Sequence, residues 1–319
     1  SGMKKIWKVL GICLLVVMVL IVLLLVKIWI EARKASIKDD YYTAFSSAFP
    51  LEQKYSQLGP CVVSYTEFAS DNRSIQRIRV WYPAGLEASE EKCPVIMAVN
   101  ASGTPASNYE GWFKRLASWG FVVVGNEDPQ AGTGETTSIM LDFLLSLSSG
   151  NVLCGKLDED NIGIVGFSQG GAGALAAVTE YENGAVYKAM FTGSAAYPLL
   201  ARNLGWFYDI SKVGIPYFMA AGTGTSDDAG VADPNEEYAG VAPLSSLIEN
   251  YDSINDTVFK VRGRAAGAEH GDMLARSDGY LTAWMLYQLK GDVEAGTVFL
   301  GGDAEILHNS NWQDVMKNQ

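Results

Sequence analysis

Histidine is nearly absent from this chain: its 319 residues include two, His270 and His308. Any chemistry that needs an imidazole must use one of them. Cysteine is scarce as well. Cys13, Cys61, Cys93 and Cys154 are the full set, and no two stand in C-x-x-C or similar spacing, which excludes a zinc ribbon or a thioredoxin-type redox motif. Cys13 lies in an apolar run, so three remain for the folded part, compatible with one disulfide or with buried free thiols. Internal repeats and low-complexity stretches are lacking, which argues against a solenoid or a disordered array. Positive charge runs short after residue 55. Residues 1–55 hold 8 Lys/Arg against 4 Asp/Glu, whereas the remainder holds 16 against 32. A domain this acidic repels phosphate backbones, so no nucleic acid is expected as a partner.

Apolar residues are plentiful. At 48% hydrophobic and 11% aromatic, the chain can build a large core, which rules out wholesale disorder. Val9 to Val26 contains no charge, and the apolar character continues past Lys27 to Ile30. As a helix, residues 9–30 would extend about 33 Å, enough to cross a bilayer, with Lys27 snorkelling and Trp7 and Trp29 near the interfaces. A cleaved signal peptide is the rival, since Lys4, Lys5 and Lys8 form a basic start. Its apolar run would be too long, and residues 31–35 offer no A-x-A-like cleavage site. Lysines and arginines flank both ends, so the positive-inside rule does not orient the helix; the short N-terminal tail favours an extracytoplasmic domain. Ser1 and Gly2, ahead of Met3, read as an expression remnant. The predicted organisation is a short cytoplasmic tail (1–8), a single-pass transmembrane anchor (9–30), a juxtamembrane stalk (31–55) and one α/β domain (56–319).

Within that domain, Val62–Phe68 and Ile75–Tyr82 alternate apolar and polar around Asp71-Asn72-Arg73-Ser74, predicting an antiparallel hairpin. Short apolar runs at Val95–Val99, Phe121–Gly125, Ile162–Gly166, Ala189–Thr192, Tyr217–Ala221 and Thr257–Val261 predict buried parallel strands. Helical stretches separate several of them, among them Tyr109–Ser118, Thr137–Leu147, Ala172–Tyr181 and Tyr280–Leu289. Repeated β-α units after one hairpin imply a three-layer α/β sandwich with a mostly parallel sheet.

Gly166-Phe167-Ser168-Gln169-Gly170 matches G-x-S-x-G. The pattern gains weight from its setting: a strand at Asn161–Val165 precedes it and a small-residue helix from Gly171 follows. A nucleophilic serine needs such a sharp strand-to-helix turn, and a helix N-terminus beneath it favours developing negative charge. An ordinary glycine-rich turn is the plain alternative. Ser168 needs a base, and His270 sits in the loop after the last predicted strand, whereas His308 lies in a polar C-terminal segment and reads as a surface residue. The acid should follow the strand Tyr217–Ala221, where the loop offers Asp227 or Asp228, with Asp227 nearer the strand end. Glu269 and Asp272 are too close in sequence to His270 to bond its Nδ1. The oxyanion donors expected are the backbone N–H of Gln169 and one from the loop Asn100–Thr104, Ser102 being favoured and Gly103 its neighbouring alternative.

These segments, with Leu116-Ala117-Ser118-Trp119-Gly120-Phe121 and the run Ala283–Asp292, resemble the α/β-hydrolase family, in particular its lidless branch of dienelactone hydrolases, chlorophyllase-like proteins and cutinase-like polyester hydrolases. The resemblance spans most of residues 60–302. It implies a Ser-Asp-His triad, no metal and no organic cofactor. Two features depart from it: the loop after the third strand lacks His-Gly, and Gly193-Ser194-Ala195-Ala196 lacks the bulky aromatic of polyester-cleaving relatives. The expected function is a membrane-anchored serine hydrolase acting on a small-molecule or lipid-like carboxylic ester. A thioesterase or acyltransferase would use the same residues, and an inactive cell-surface binding module on this scaffold is the alternative from another class.

Overall fold

The computed structural model describes residues 2–34 and 36–319. Ser1, read as an expression remnant, Ala35, and the Trp29, Arg33 and Lys34 side chains, used in placing the anchor and weighing a cleavage site, lie outside the described residues. The chain divides into two units between Lys38 and Asp39.

The first unit is one helix, α1 (Gly2–Lys34). Its Gly2–Ile28 part has a mean hydropathy of 3.6 and is long and apolar enough to cross a membrane.

The second unit carries nine strands: β1 (Val63–Ala69), β2 (Arg77–Pro83), β3 (Cys93–Val99), β4 (Val122–Asn126), β5 (Leu157–Phe167), β6 (Tyr187–Gly193), β7 (Tyr217–Gly222), β8 (Lys260–Ala265) and β9 (Trp312–Lys317). Its helices are α2 (Pro50–Ser56), α3 (Glu110–Ala117), α4 (Glu135–Leu145), α5 (Gln169–Thr179), α6 (Pro198–Asn203), α7 (Leu244–Ser253), α8 (Met273–Lys290), α9 (Val293–Gly296) and α10 (Glu305–His308). The sheet order is β1-β2-β4-β3-β5-β6-β7-β8-β9. The six strands from β3 to β8 run parallel, and β1, β2 and β9 complete the sheet through antiparallel pairings. The hairpin is β1–β2, with Glu67 opposite Arg79 and ion-paired to it and to Arg77.

Helices cover both faces because the central strands are apolar on both. In β3, Val95, Met97 and Val99 join the core that α4, α5 and α7 close with Leu141, Leu175 and Leu247. On the opposite face, Phe191 and Phe218 belong to a chain of ring contacts that includes Phe167, Trp284 and Phe299. Fully buried strands such as β3, β4 and β7 are what parallel pairing between two helical layers requires.

Residues 31–55, read as a stalk, fall in both units, since from Asp39 the chain belongs to the compact one. Glu52 of α2 is fully buried, accepting hydrogen bonds from Trp312 Nε1 and from Asn311 Nδ2 (2.8 Å). Polar sequence is a poor guide here, since its polar groups are matched by distant partners. The last strand begins at Lys260 rather than Thr257: Asn255 Oδ1 accepts from the Thr257 N–H and hydroxyl and holds a turn there. The polar C-terminal segment also contributes an edge strand, β9, with Trp312 as its buried anchor.

Arg115 and Asp278 form an ion pair (3.2 Å) with no exposed side-chain surface. Arg115 also donates to Tyr41 Oη, the Tyr55 carbonyl and Thr282 Oγ1, tying residues 41–55 to α3 and α8. Burial raises the Asp278 carboxyl to about 6, against the pull of Arg115. Arg115→Met should therefore destabilise the fold by about 3–5 kcal/mol, the usual cost of leaving one buried charge unpaired. A carboxyl with a raised folded pKa favours the fold at low pH and disfavours it as pH rises. Urea unfolding of the variant should show a larger deficit at pH 8 than at pH 5. An equal deficit at both would mean that Asp278 is not the group left uncompensated.

Candidate active site

The sheet order reverses where β3 meets β5, so the connection after β3 leaves toward β4 and the connection after β5 leaves toward β6. Such a switch point opens a crevice at the carboxyl ends of the strands. Loop 100–104 leaves β3 on one side of it, and Ser168 follows β5 on the other.

Ser168 has φ 57° and ψ −121°, immediately ahead of α5. A non-glycine residue in this region is strained and persists only where its surroundings hold it. Glycine neighbours permit the turn: a Cβ on Gly166 would fall 1.9 Å from the Gly170 carbonyl oxygen, and one on Gly170 would fall 2.2 Å from the Val99 oxygen. The elbow is thus pressed against the end of β3.

His270 opens a short 3-10 turn after β8, with Nε2 3.0 Å from Ser168 Oγ and Nδ1 2.6 Å from Asp227 Oδ1. Its turn is pinned on two sides. The His270 N–H donates to Ser226 Oγ (2.8 Å), the Ser226 hydroxyl donates to Glu269, and Asp272 Oδ2 accepts from the Glu269 N–H (2.9 Å). These contacts occupy the Glu269 and Asp272 carboxylates. Asp227 is fully buried, and its Oδ2 accepts from the Gly222 N–H (2.7 Å) and from Ser194 Oγ (2.5 Å).

The two adjacent aspartates separate cleanly. Asp228 turns away from His270, pairs with Arg264 (2.9 Å), and accepts from the N–H groups of Gly230 (3.0 Å) and Leu244 (3.1 Å). Arg264 also binds Asp314 of β9, so this cluster ties the loop after β7 to the sheet edge. His308 is exposed, with Nε2 3.0 Å from the Gly302 carbonyl oxygen, outside the cluster around Ser168.

In loop 100–104 the N–H of Gly103 donates to the Pro129 carbonyl (3.0 Å), which removes Gly103 as a donor to a ligand. Thr104 likewise donates to Ala101 (3.2 Å), so Ser102 remains the available choice of the two residues considered. Asn100, buried, braces the loop by donating to the carbonyls of Asn126 (2.8 Å) and Asp128 (2.9 Å). Gln169, at the first position of α5, is almost fully buried and donates through Nε2 to Gln130 Oε1 (3.1 Å). Asn100, Gln130, Ser194 and Ser226 escaped the sequence reading because short polar residues in loops look alike until the strands bring them together. Asn100, in the expected donor loop, and Ser194, in a turn that departs from the family pattern, carry the only sequence signals among them.

The four cysteines are free thiols, and burial pushes Cys93 up to about 11, far from a reactive thiolate. Among the described residues no three His, Cys, Asp or Glu side chains are grouped to hold a metal ion. Chemically, the arrangement offers a hydroxyl, an imidazole that can take its proton, and a buried carboxylate to hold that imidazole. Neither the protein-family models nor the characterised proteins searched contain a match to this chain.

Proposed function

We propose that the chain is a serine hydrolase of carboxylic esters with the architecture of the α/β-hydrolase family, held to a membrane by α1 with its domain on the extracytoplasmic side. The observation that carries this reading is the continuous relay Ser168 Oγ–His270 Nε2 and His270 Nδ1–Asp227 Oδ1, at 3.0 and 2.6 Å, beginning on a strained serine. Backbone strain and a buried carboxylate both cost stability, and their meeting at one imidazole favours a catalytic purpose over a structural one. Ser168 attacks the ester carbonyl while His270 takes its proton. The oxyanion rests on the N–H groups of Gln169 and Ser102. His270 returns the proton to the leaving alcohol, and water attacks the acyl-enzyme by the same route. Hydrolysis of p-nitrophenyl esters of short and long acyl chains tests this directly: turnover is expected, and its absence from purified full-length protein with every ester would reject the reading.

A chain beginning at residue 36 should be soluble and keep ester turnover, since the compact unit starts at Asp39. Full-length protein should remain in the membrane pellet after a carbonate wash. A chain beginning at residue 57 should lose stability, because it lacks buried Glu52 and Tyr55. Full-length protein released into the supernatant and trimmed near residues 30–36 would instead mark a signal peptide.

A further inference from the structure

We infer that Ser194 is a positioning residue for the acid of this site, a fourth member of the hydrogen-bonded chain behind Asp227. This role rests on the hydrolase reading. Ser194 follows β6, is almost fully buried, and has φ 49°, in the left-handed region that non-glycine residues avoid. An ordinary turn at this position would hold glycine or asparagine. Here the strained residue is a serine whose hydroxyl, among the described residues, has one partner, Asp227 Oδ2, at 2.5 Å.

The same turn also holds the nucleophile. The Ser168 N–H donates to the carbonyl of Gly193 (3.0 Å), and the Ser194 N–H donates to the carbonyl of Ala220 in β7 (2.7 Å). Ser168 and Ser194 therefore constrain each other through one peptide unit, and the turn fixes the acid relative to the nucleophile from behind. Hydrogen bonds to a buried carboxylate spread its charge and stabilise the ionised form. With Ser194 Oγ and the Gly222 N–H on Oδ2, the free lone pairs of Oδ1 face His270 Nδ1 alone. Removing the hydroxyl concentrates charge on Asp227, which strengthens its hold on the imidazole proton and makes His270 a poorer donor to the leaving alcohol.

Few other charges surround the imidazole. On its own turn, Glu269 is held by Ser226 and Asp272 by the Glu269 N–H. The packed strand β7 has no charged residue, and the first basic residue on α8 is Arg276. A change in His270 titration on altering Ser194 thus reports on Asp227.

The test separates hydroxyl from strain. Ser194→Ala loses the hydroxyl and keeps the strain, whereas Ser194→Gly loses both. With isotope-labelled histidine, only two imidazoles appear, and His308→Gln assigns them. In both Ser194 variants the His270 Nδ1 proton should move downfield and its titration midpoint should rise. Ester kcat should fall about tenfold with KM little changed, because a more tightly held imidazolium is a poorer acid toward the leaving alcohol. If Ser194→Gly keeps the wild-type histidine signature and kcat, or if the midpoint falls, the proposal is overturned. If the signature moves but wild-type protein cleaves no ester, the contact to Asp227 stands and the hydrolase reading fails.

Discussion

Ser168→Ala is expected to lower ester kcat by a factor of about 10³ or more, leaving what oxyanion donors and binding supply on their own. The variant should fold normally. Its φ of 57° is set by the elbow, where Gly166 and Gly170 lie against backbone, and alanine tolerates that angle about as well as serine does. Among the described residues the Ser168 side chain bonds His270 alone, so its loss opens no buried polar gap in the core. Circular dichroism and melting of the variant should match the wild type. Near-normal kcat in a well-folded Ser168→Ala protein would remove the nucleophile from the account.

Asp227→Asn should cost about 10⁴-fold in kcat, as loss of a tautomer-holding carboxylate does in such relays. Both Asp227 oxygens accept hydrogen bonds here: Oδ1 from His270 Nδ1, and Oδ2 from the Gly222 N–H and Ser194. An asparagine has one acceptor oxygen. If its nitrogen faces His270, the imidazole is driven to the tautomer that donates to Ser168 instead of accepting from it. If its nitrogen faces Gly222, two buried donors oppose each other. Neither orientation preserves the relay. Asp228→Asn should lose less than about tenfold, since its partners Arg264, Gly230 and Leu244 only brace the loop. His270→Ala should abolish turnover while His308→Ala has little effect, and wild-type turnover should fall toward acid pH because a protonated imidazole cannot take the serine proton. Stopped-assay kcat/KM for these four variants provides the comparison. A larger loss from Asp228→Asn than from Asp227→Asn would contradict the geometry.

Most of the parallel strands were legible in the sequence because a strand buried on both faces must be continuously apolar, and Val95–Val99 or Tyr217–Ala221 leave little choice. The elbow was legible for a related reason: Gly-x-Ser-x-Gly between a strand and a helix has few physical uses. With two histidines, the imidazole that meets Ser168 was nearly decided by count. What escaped detection was polar and long-range. Glu52 and Trp312 are 260 residues apart, and nothing in either neighbourhood announces the other. Strand β9 escaped because an edge strand exposes one face, so Trp312–Lys317 reads as a polar tail. Asp227 and Asp228 carry the same side chain, and their roles diverge through Arg264 and His270, which arrive from later in the chain.

The most direct measurement of the central claim is labelling of the full-length protein with a tagged fluorophosphonate, followed by mass spectrometry of the labelled peptide. Such a probe reacts with a serine only when a neighbouring base activates it. Stoichiometric modification at Ser168, lost in Ser168→Ala and strongly slowed in His270→Ala, is the predicted result. No labelling of the folded protein, or labelling at another serine that persists in Ser168→Ala, would contradict it.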